Sequence, residues 1–349
     1  MKYVHTFTVA AAVLTMAAQT AEARTLSFSS SSPPSAATSE VLKDWAETLK
    51  EATDGELEIE FYWQQSLSKL GDNLDAVASG LADMAVVVPA YSRQKLPLNY
   101  LSSTSIGTGD PWVISEAWLK TRKEFPAFIE EEVKENIKFL AIESIGPVIF
   151  VGEKIYASPD DFQNATMRLS SHYAFAAQNS GWAVNPARIQ SPETYTSLEK
   201  GTIAGATTYA NQLFPFRLNE VADFVTRPDL GQHSNMYFMN LDVWNDLSDE
   251  ERAAIENSLE GLNLAFAQAE VNESKTVFEK VQSDETYPMQ VKELSESERE
   301  VWSDALEPSY EKNVAMAAEV NPVAVEIGKA YKANRDAAAK VLMTDGYPW

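Results

Sequence analysis

An arginine placed at the end of a strand can fork onto a carboxylate with two parallel hydrogen bonds, a pairing no other side chain reproduces. Arg168 has that setting. In the run DDFQNATMRLSSHYAF, residues 165–170 read as a strand and residues 172–181 as a helix. Open α/β sheets take their ligands in the crevice outside the carboxyl ends of the strands. Groups that could share an anion with Arg168 follow nearby: Ser191 before Pro192, Thr208 and Tyr209 in the strand-like run ATTY, and His172 just inside the helix. Each also has a plainer use. Ser191 suits a helix N-cap with Pro192 at the first helical position, Thr208 suits any strand, and His172 suits a cap or a solvent-facing position. Ser31, Trp63 and Tyr91 fall after the first, second and third strands of the N-terminal part, where they could serve as core, lip or ligand platform.

Other chemistry lacks its reagents. The 349 residues include no cysteine, so no disulfide framework, thiolate nucleophile or cysteine-based zinc site is available. Apart from His5 near the start, the histidines are His172 and His233, and no G-x-S-x-G, H-E-x-x-H or Walker pattern occurs. The 51 acidic residues make carboxylate pairs too common to point to acid–base catalysis. A net charge of −23 and a pI of about 4.5 argue against nucleic acid as a partner, and a saline habitat would account for the acidity. No cofactor and no metal is expected.

The elements that must position Arg168 form two lobes. Lys2, the apolar run at residues 7–18 and Ala21-Glu22-Ala23 read as a secretory leader cut after Ala23, which predicts a soluble, periplasmic protein beginning at Arg24. That apolar run is too short for a membrane span. In the N-terminal part, Leu57, Ile59 and Phe61 alternate with acidic residues as in a half-buried strand, and residues 84–88 form an apolar run suited to burial on both faces. Residues 161–212 read as strand, helix, strand, helix, strand, an α/β unit with parallel pairing.

VASGLADM and LEKGTIAG, at residues 77–84 and 198–205, each read as helix end, glycine and strand start, which suggests two similar lobes. Crossings between them are expected at Gly146-Pro147 and at residues 233–240, as a hinged clamshell requires. Ser248 and Glu251 form a capping box, and the helical spacing of Ile255, Leu259, Leu262 and Phe266 opens a helix of about 35 residues, roughly 50 Å long, that spans more than one lobe. Helices broken at Pro308 and Pro322 follow. The expected division is residues 24–145 with about 235–275 for lobe I, and residues 146–234 with about 276–349 for lobe II.

These stretches resemble a known family. QSLSKLGDNLDAVASGLADMAV, the run DDFQNATMR ending in Arg168, Asn185-Pro186, Glu193-Thr194-Tyr195, Leu198, Gly201 and the segment from Glu298 to Tyr310 are similar to motifs of the extracytoplasmic solute receptors of tripartite ATP-independent periplasmic (TRAP) transporters. The resemblance covers nearly all of the chain after the leader. It implies an α/β periplasmic-binding-protein clamshell with a long interlobe helix, monomeric and without catalysis. Such a protein closes on a small organic acid anion and hands it to membrane permease subunits.

Arg168 matches the family's carboxylate-binding arginine. Ala204-Gly205 stands where the family has Asp-Gly, and Ala206-Thr207-Thr208 where it has Gln-Glu-Asn, so the amide that assists the arginine becomes Thr208. The aromatic that commonly packs near the ligand falls at Ser191. The alternatives are an exported enzyme acting on small organic acids, or a receptor for an ATP-driven transporter or a sensor; the long interlobe helix favours the TRAP type.

Overall fold

The structure is a computed structural model and describes residues 23–103 and 107–349. The expected leader, apart from its last residue, lies outside the described residues. Two sheets organise the chain. The first runs β2-β1-β3-β10-β4, with β1 Arg24–Ser29, β2 Leu57–Tyr62, β3 Met84–Val87, β4 Ile137–Ile145 and β10 His233–Asn240. The second runs β11-β9-β5-β8-β6-β7, with β5 Val148–Gly152, β6 Thr166–Arg168, β7 Asn185–Ala187, β8 Gly205–Tyr209, β9 Phe224–Arg227 and β11 Gln290–Glu293.

Burial on both faces explains the central strands. In β3, Met84 and Val86 face one core while Ala85 and Val87 face another, so a period of two produces a continuous apolar run. Strand β5 repeats the device, with Val148 and Phe150 on one side and Ile149 and Val151 on the other. At the edge of the first sheet, β2 buries Leu57 and only half-buries Ile59 and Phe61, as its alternation predicted.

The chain passes between sheets at the first place expected and, the second time, just ahead of residues 233–240, which lie wholly in the first sheet. Gly146-Pro147, joined by a cis peptide, connects β4 to β5, and residues 228–232 lead from β9 back to β10. The helix Asp249–Ser283 has 35 residues and begins with the capping box: the Ser248 hydroxyl accepts from the Glu251 N–H at 3.1 Å, and the Glu251 carboxylate accepts from the Ser248 N–H at 2.6 Å. Ile255, Leu262 and Phe266 bury into the first sheet's core, and Val277, Phe278 and Val281 into the second's. One rigid rod therefore belongs to both halves.

The C-terminal helices differ from their expected places. Pro308 lies inside the helix Glu296–Val320 instead of ending it. A proline there removes one helical hydrogen bond; burial of Leu306 and Ser309 on either side keeps the turns together. The helix carries Trp302 and Leu306 into the second sheet's core and Ala317 into the first's. The last helix, Ala324–Asp345, packs Ala324, Ile327 and Tyr331 with Trp118 and Phe128 beside the first sheet, apart from the lobe II expected for it. Pro322 does fall at the break between the two helices.

Candidate functional site

Arg168 is the last residue of β6, and the ends of β6 and β8 are pinned together around it. Its Nε–H donates to the Ile189 carbonyl at 3.3 Å and its Nη1 to the Thr207 carbonyl. The Thr207 hydroxyl accepts from the Ser170 N–H and donates to the Arg168 carbonyl at 3.4 Å. Two carbonyls, one at Nε and one at Nη1, thus fix the guanidinium plane, and Nη2 has no hydrogen-bond partner among the described residues. The residue is 6% exposed. A desolvated cation held this way has its remaining donors aimed at whatever fills the cavity beside it.

That cavity, about 70 Å³, lies between the two sheets. Loops after the strands of the first sheet bring Ser31, Ser32 and Tyr91, and the first helix brings Thr38; the second sheet brings Arg168, Ser170, Ser191, Tyr209, Asn211 and Gln212. The strands next to the crossings, β4 and β10, complete the wall with Glu143, Ile145, His233 and Asn235. Across the mouth, the Gly71 N–H donates to the Gln190 Oε1 at 3.2 Å, a bond between the halves. A Cβ on Gly71 would stand 2.2 Å from the Gln190 Nε2, so glycine permits this close approach.

Of the residues named from sequence, the structure brings Ser31, Tyr91, Arg168, Ser191 and Tyr209 to the cleft. Thr208 does not line it. It is 1% exposed, and its hydroxyl donates to the Gln212 Oε1 at 2.8 Å, as the Ser191 hydroxyl does at 3.0 Å. Thr208 therefore positions Gln212, whose side chain places an amide in the cleft wall four residues beyond the position where the family resemblance locates one.

Trp63 stacks on Phe61 at 4.6 Å with the Lys43 ammonium 5.9 Å from its ring, and packs outside the cavity. His172 is 2% exposed and sits beneath the backbone of Gly231, where a Cβ would come within 2.4 Å of its Nε2. Neither a cap nor a solvent-facing role fits that burial.

Glu143, His233, Asn235 and Gln212 were missed by sequence reasoning. A signal existed for three of them. His233, Asn235 and Tyr237 alternate on one face of β10, and Glu143 is a charge inside the apolar strand IKFLAIES. Polar residues on one face of a strand that joins two lobes mark a surface turned to the cleft.

His172 and His233 are held neutral. Burial, reinforced by His233, pushes His172 down to about 3, and desolvation followed by the charge of Arg168 pushes His233 down to about 4. An unfolded histidine titrates near about 6.5, so between that pH and about 3 the unfolded chain binds a proton that native His172 refuses. Stability contributed by this site falls as the pH drops through that window. His172→Gln is expected to flatten the fall by up to about 1.4 kcal/mol per pH unit in denaturant titrations between about pH 6.5 and 4. Parallel curves for variant and parent would refute the assignment.

Among the described residues no group of His, Asp and Glu is arranged to hold a metal ion, and no helix is long and apolar enough to cross a membrane.

Comparison with known proteins places the chain. The family described as bacterial extracellular solute-binding protein, family 7, matches residues 28–316. The C4-dicarboxylate-binding periplasmic protein DctP of Rhodobacter capsulatus is 23% identical over 271 residues, covering 76% of this chain and 79% of that protein. A TRAP solute-binding protein from Rhodoferax ferrireducens, solved with copurified benzoate, superposes with a TM-score of 0.79 at 17% identity, covering 91% of this chain and 99% of the other. One from Bordetella bronchiseptica with bound mandelate gives 0.77 at 20% identity, covering 90% and 99%. The two-lobed α/β architecture is thus shared.

Proposed function

The chain belongs to the bacterial extracellular solute-binding protein family 7, and from that premise we propose that it is the extracytoplasmic receptor of a TRAP transporter, capturing a small organic acid between its lobes. The observation that carries this reading is Arg168: a buried guanidinium, fixed by two backbone carbonyls, with Nη2 free in a cleft that both sheets line. The relatives named above are described as binding a C4-dicarboxylate, benzoate and mandelate, all carboxylates.

Lobe I comprises residues 24–145 with about 235–275, joined by the last helix; lobe II comprises residues 146–234 with about 276–310. The ligand carboxylate meets Arg168, while Ser191, Gln212, Tyr209, Tyr91 and Ser31 close around the rest of the molecule. Closure occurs about β4, β10 and the long helix, and the Gly71–Gln190 contact latches the mouth. The ligand favours the closed form only through its greater affinity for it. The receptor acts as a monomer in the periplasm, after loss of a leader ending at Ala23, and delivers its cargo unchanged to membrane permease subunits.

A thermal-shift screen across small organic acids tests the reading. An acid at about 100 times its dissociation constant adds about 2.7 kcal/mol of stability, so a binding acid should raise the melting temperature while its uncharged amide does not. A screen in which no small carboxylate stabilises the protein would sink the proposal.

A further inference from the structure

Arg168 and Glu143 are the lysine, arginine, aspartate and glutamate side chains that the cleft lining holds among the described residues, one cation and one acid. Glu143 is 2% exposed. Its Oε2 accepts from the Tyr237 hydroxyl at 2.6 Å and from the Asn235 Nδ2 at 2.9 Å, both on β10. Thr38, from the first helix, and Glu270, from the long helix, also reach it. No lysine or arginine pairs with it among the described residues.

Glu270 is 1% exposed and accepts from the Asn211 Nδ2 on the lobe II side. Two neighbouring buried carboxyls without a cation cannot both ionise, so the pair keeps one proton. Burial, and then the charge of Glu143, push Glu270 well above the usual carboxylate range. Glu143 accepts from the Tyr237 hydroxyl and the Asn235 amide, whereas Glu270 accepts from the Asn211 amide, so hydrogen bonding favours the charge on Glu143 and the proton on Glu270.

The cleft therefore presents one positive and one negative group, each already stripped of water. A simple monocarboxylate would neutralise Arg168 and leave Glu143 buried and unpaired; a dicarboxylate would bring a second anion toward it. Breaking charge balance in a desolvated site is strongly unfavourable. We infer that the ligand is zwitterionic, a carboxylate for Arg168 joined to a cationic nitrogen that Glu143 receives, as in small amino or imino acids. Glu143 then determines specificity, with Glu270 as the group that keeps the pair's charge at one. This inference rests on the carboxylate-receptor reading and narrows it.

Matched ligands separate the two ideas. Calorimetry would compare 2-aminobutyrate with 2-hydroxybutyrate, proline with tetrahydrofuran-2-carboxylate, and 4-aminobutyrate with 4-hydroxybutyrate. The amine member of at least one pair should bind about tenfold or more tightly than its oxygen partner. Glu143→Gln should erase that preference by weakening the amine while leaving the oxygen member within about threefold. Oxygen members that bind as well as their amines, or a variant that weakens both equally, would overturn the inference.

If Glu143→Gln does not fold, the comparison of pairs on the parent protein decides alone. Should the only acids bound in the wider thermal screen lack a cationic nitrogen, the zwitterion inference falls and the receptor reading stands. If no carboxylate binds at all, both fall.

Discussion

Replacing Arg168 with alanine is expected to weaken binding of the tightest acid found by the thermal screen by on the order of 2 to 5 kcal/mol, a loss of roughly thirtyfold to five-thousandfold. The size follows from where the charge sits. With the guanidinium gone, the ligand carboxylate would enter a closed cleft without its partner, and the penalty of an unpaired buried anion adds to the lost hydrogen bonds. Arg168→Lys should bind poorly as well. An ammonium cannot donate to the Ile189 and Thr207 carbonyls and still present a planar fork to the ligand. Calorimetry on both variants, with melting temperatures recorded to confirm folding, checks the claim. Unchanged affinity in Arg168→Ala would remove Arg168 from the site.

Trp302→Ala should cost about 3 to 5 kcal/mol of stability, the range for deleting a large aromatic from a packed core. Trp302 is fully buried, and its ring centroid lies 5.0 Å from that of Phe150, 5.5 Å from Trp182, and 5.7 Å from Phe162 and Tyr173. Its Nε1–H has no hydrogen-bond partner among the described residues, so nearly all of its contribution is packing. Trp302 also fixes the helix Glu296–Val320 against the second sheet, while Ala317 on the same helix docks beside the first. Loss of the ring should therefore loosen both halves. Denaturant titration should show a lower midpoint; a change within about 1 kcal/mol would mean that the helix is held from its other end.

The position of Arg168 was legible because it follows from local order: a strand, its end and a following helix are set within a few residues. Ser191 reaches the cleft but not as the cap expected of it: Gln190 caps this short helix, Ser191 is its first residue, and the Ser191 hydroxyl turns to Gln212 instead. Thr208 and His172 were harder. Both lie close to Arg168 along the chain, yet one faces behind the cleft and the other lies under Gly231, because adjacent strand and helix positions point in different directions. Nearness in sequence gave no account of facing.

Glu143 and Glu270 show the opposite case. They are separated by a whole lobe in the chain, and each alone reads as one carboxylate among 51 acidic residues. The crossing of β4 beneath the long helix makes them neighbours, and the cleft gives Glu143 its ligand-facing place.

Short-range pattern sets the architecture: the α/β units, the crossing at Gly146-Pro147, the 35-residue helix and the arginine at a strand end all follow from periodicity, caps and turns acting over a few residues. Tertiary structure decided what surrounds that arginine. Gln212 in place of Thr208, the buried acid opposite, and the return of the last helix to the first lobe depend on contacts between residues far apart in the chain. Local patterns fix which element forms, because hydrogen bonding and side-chain period act within a few residues. Which side chains share a dry cavity is settled only when separate elements pack, and burial then sets their charge.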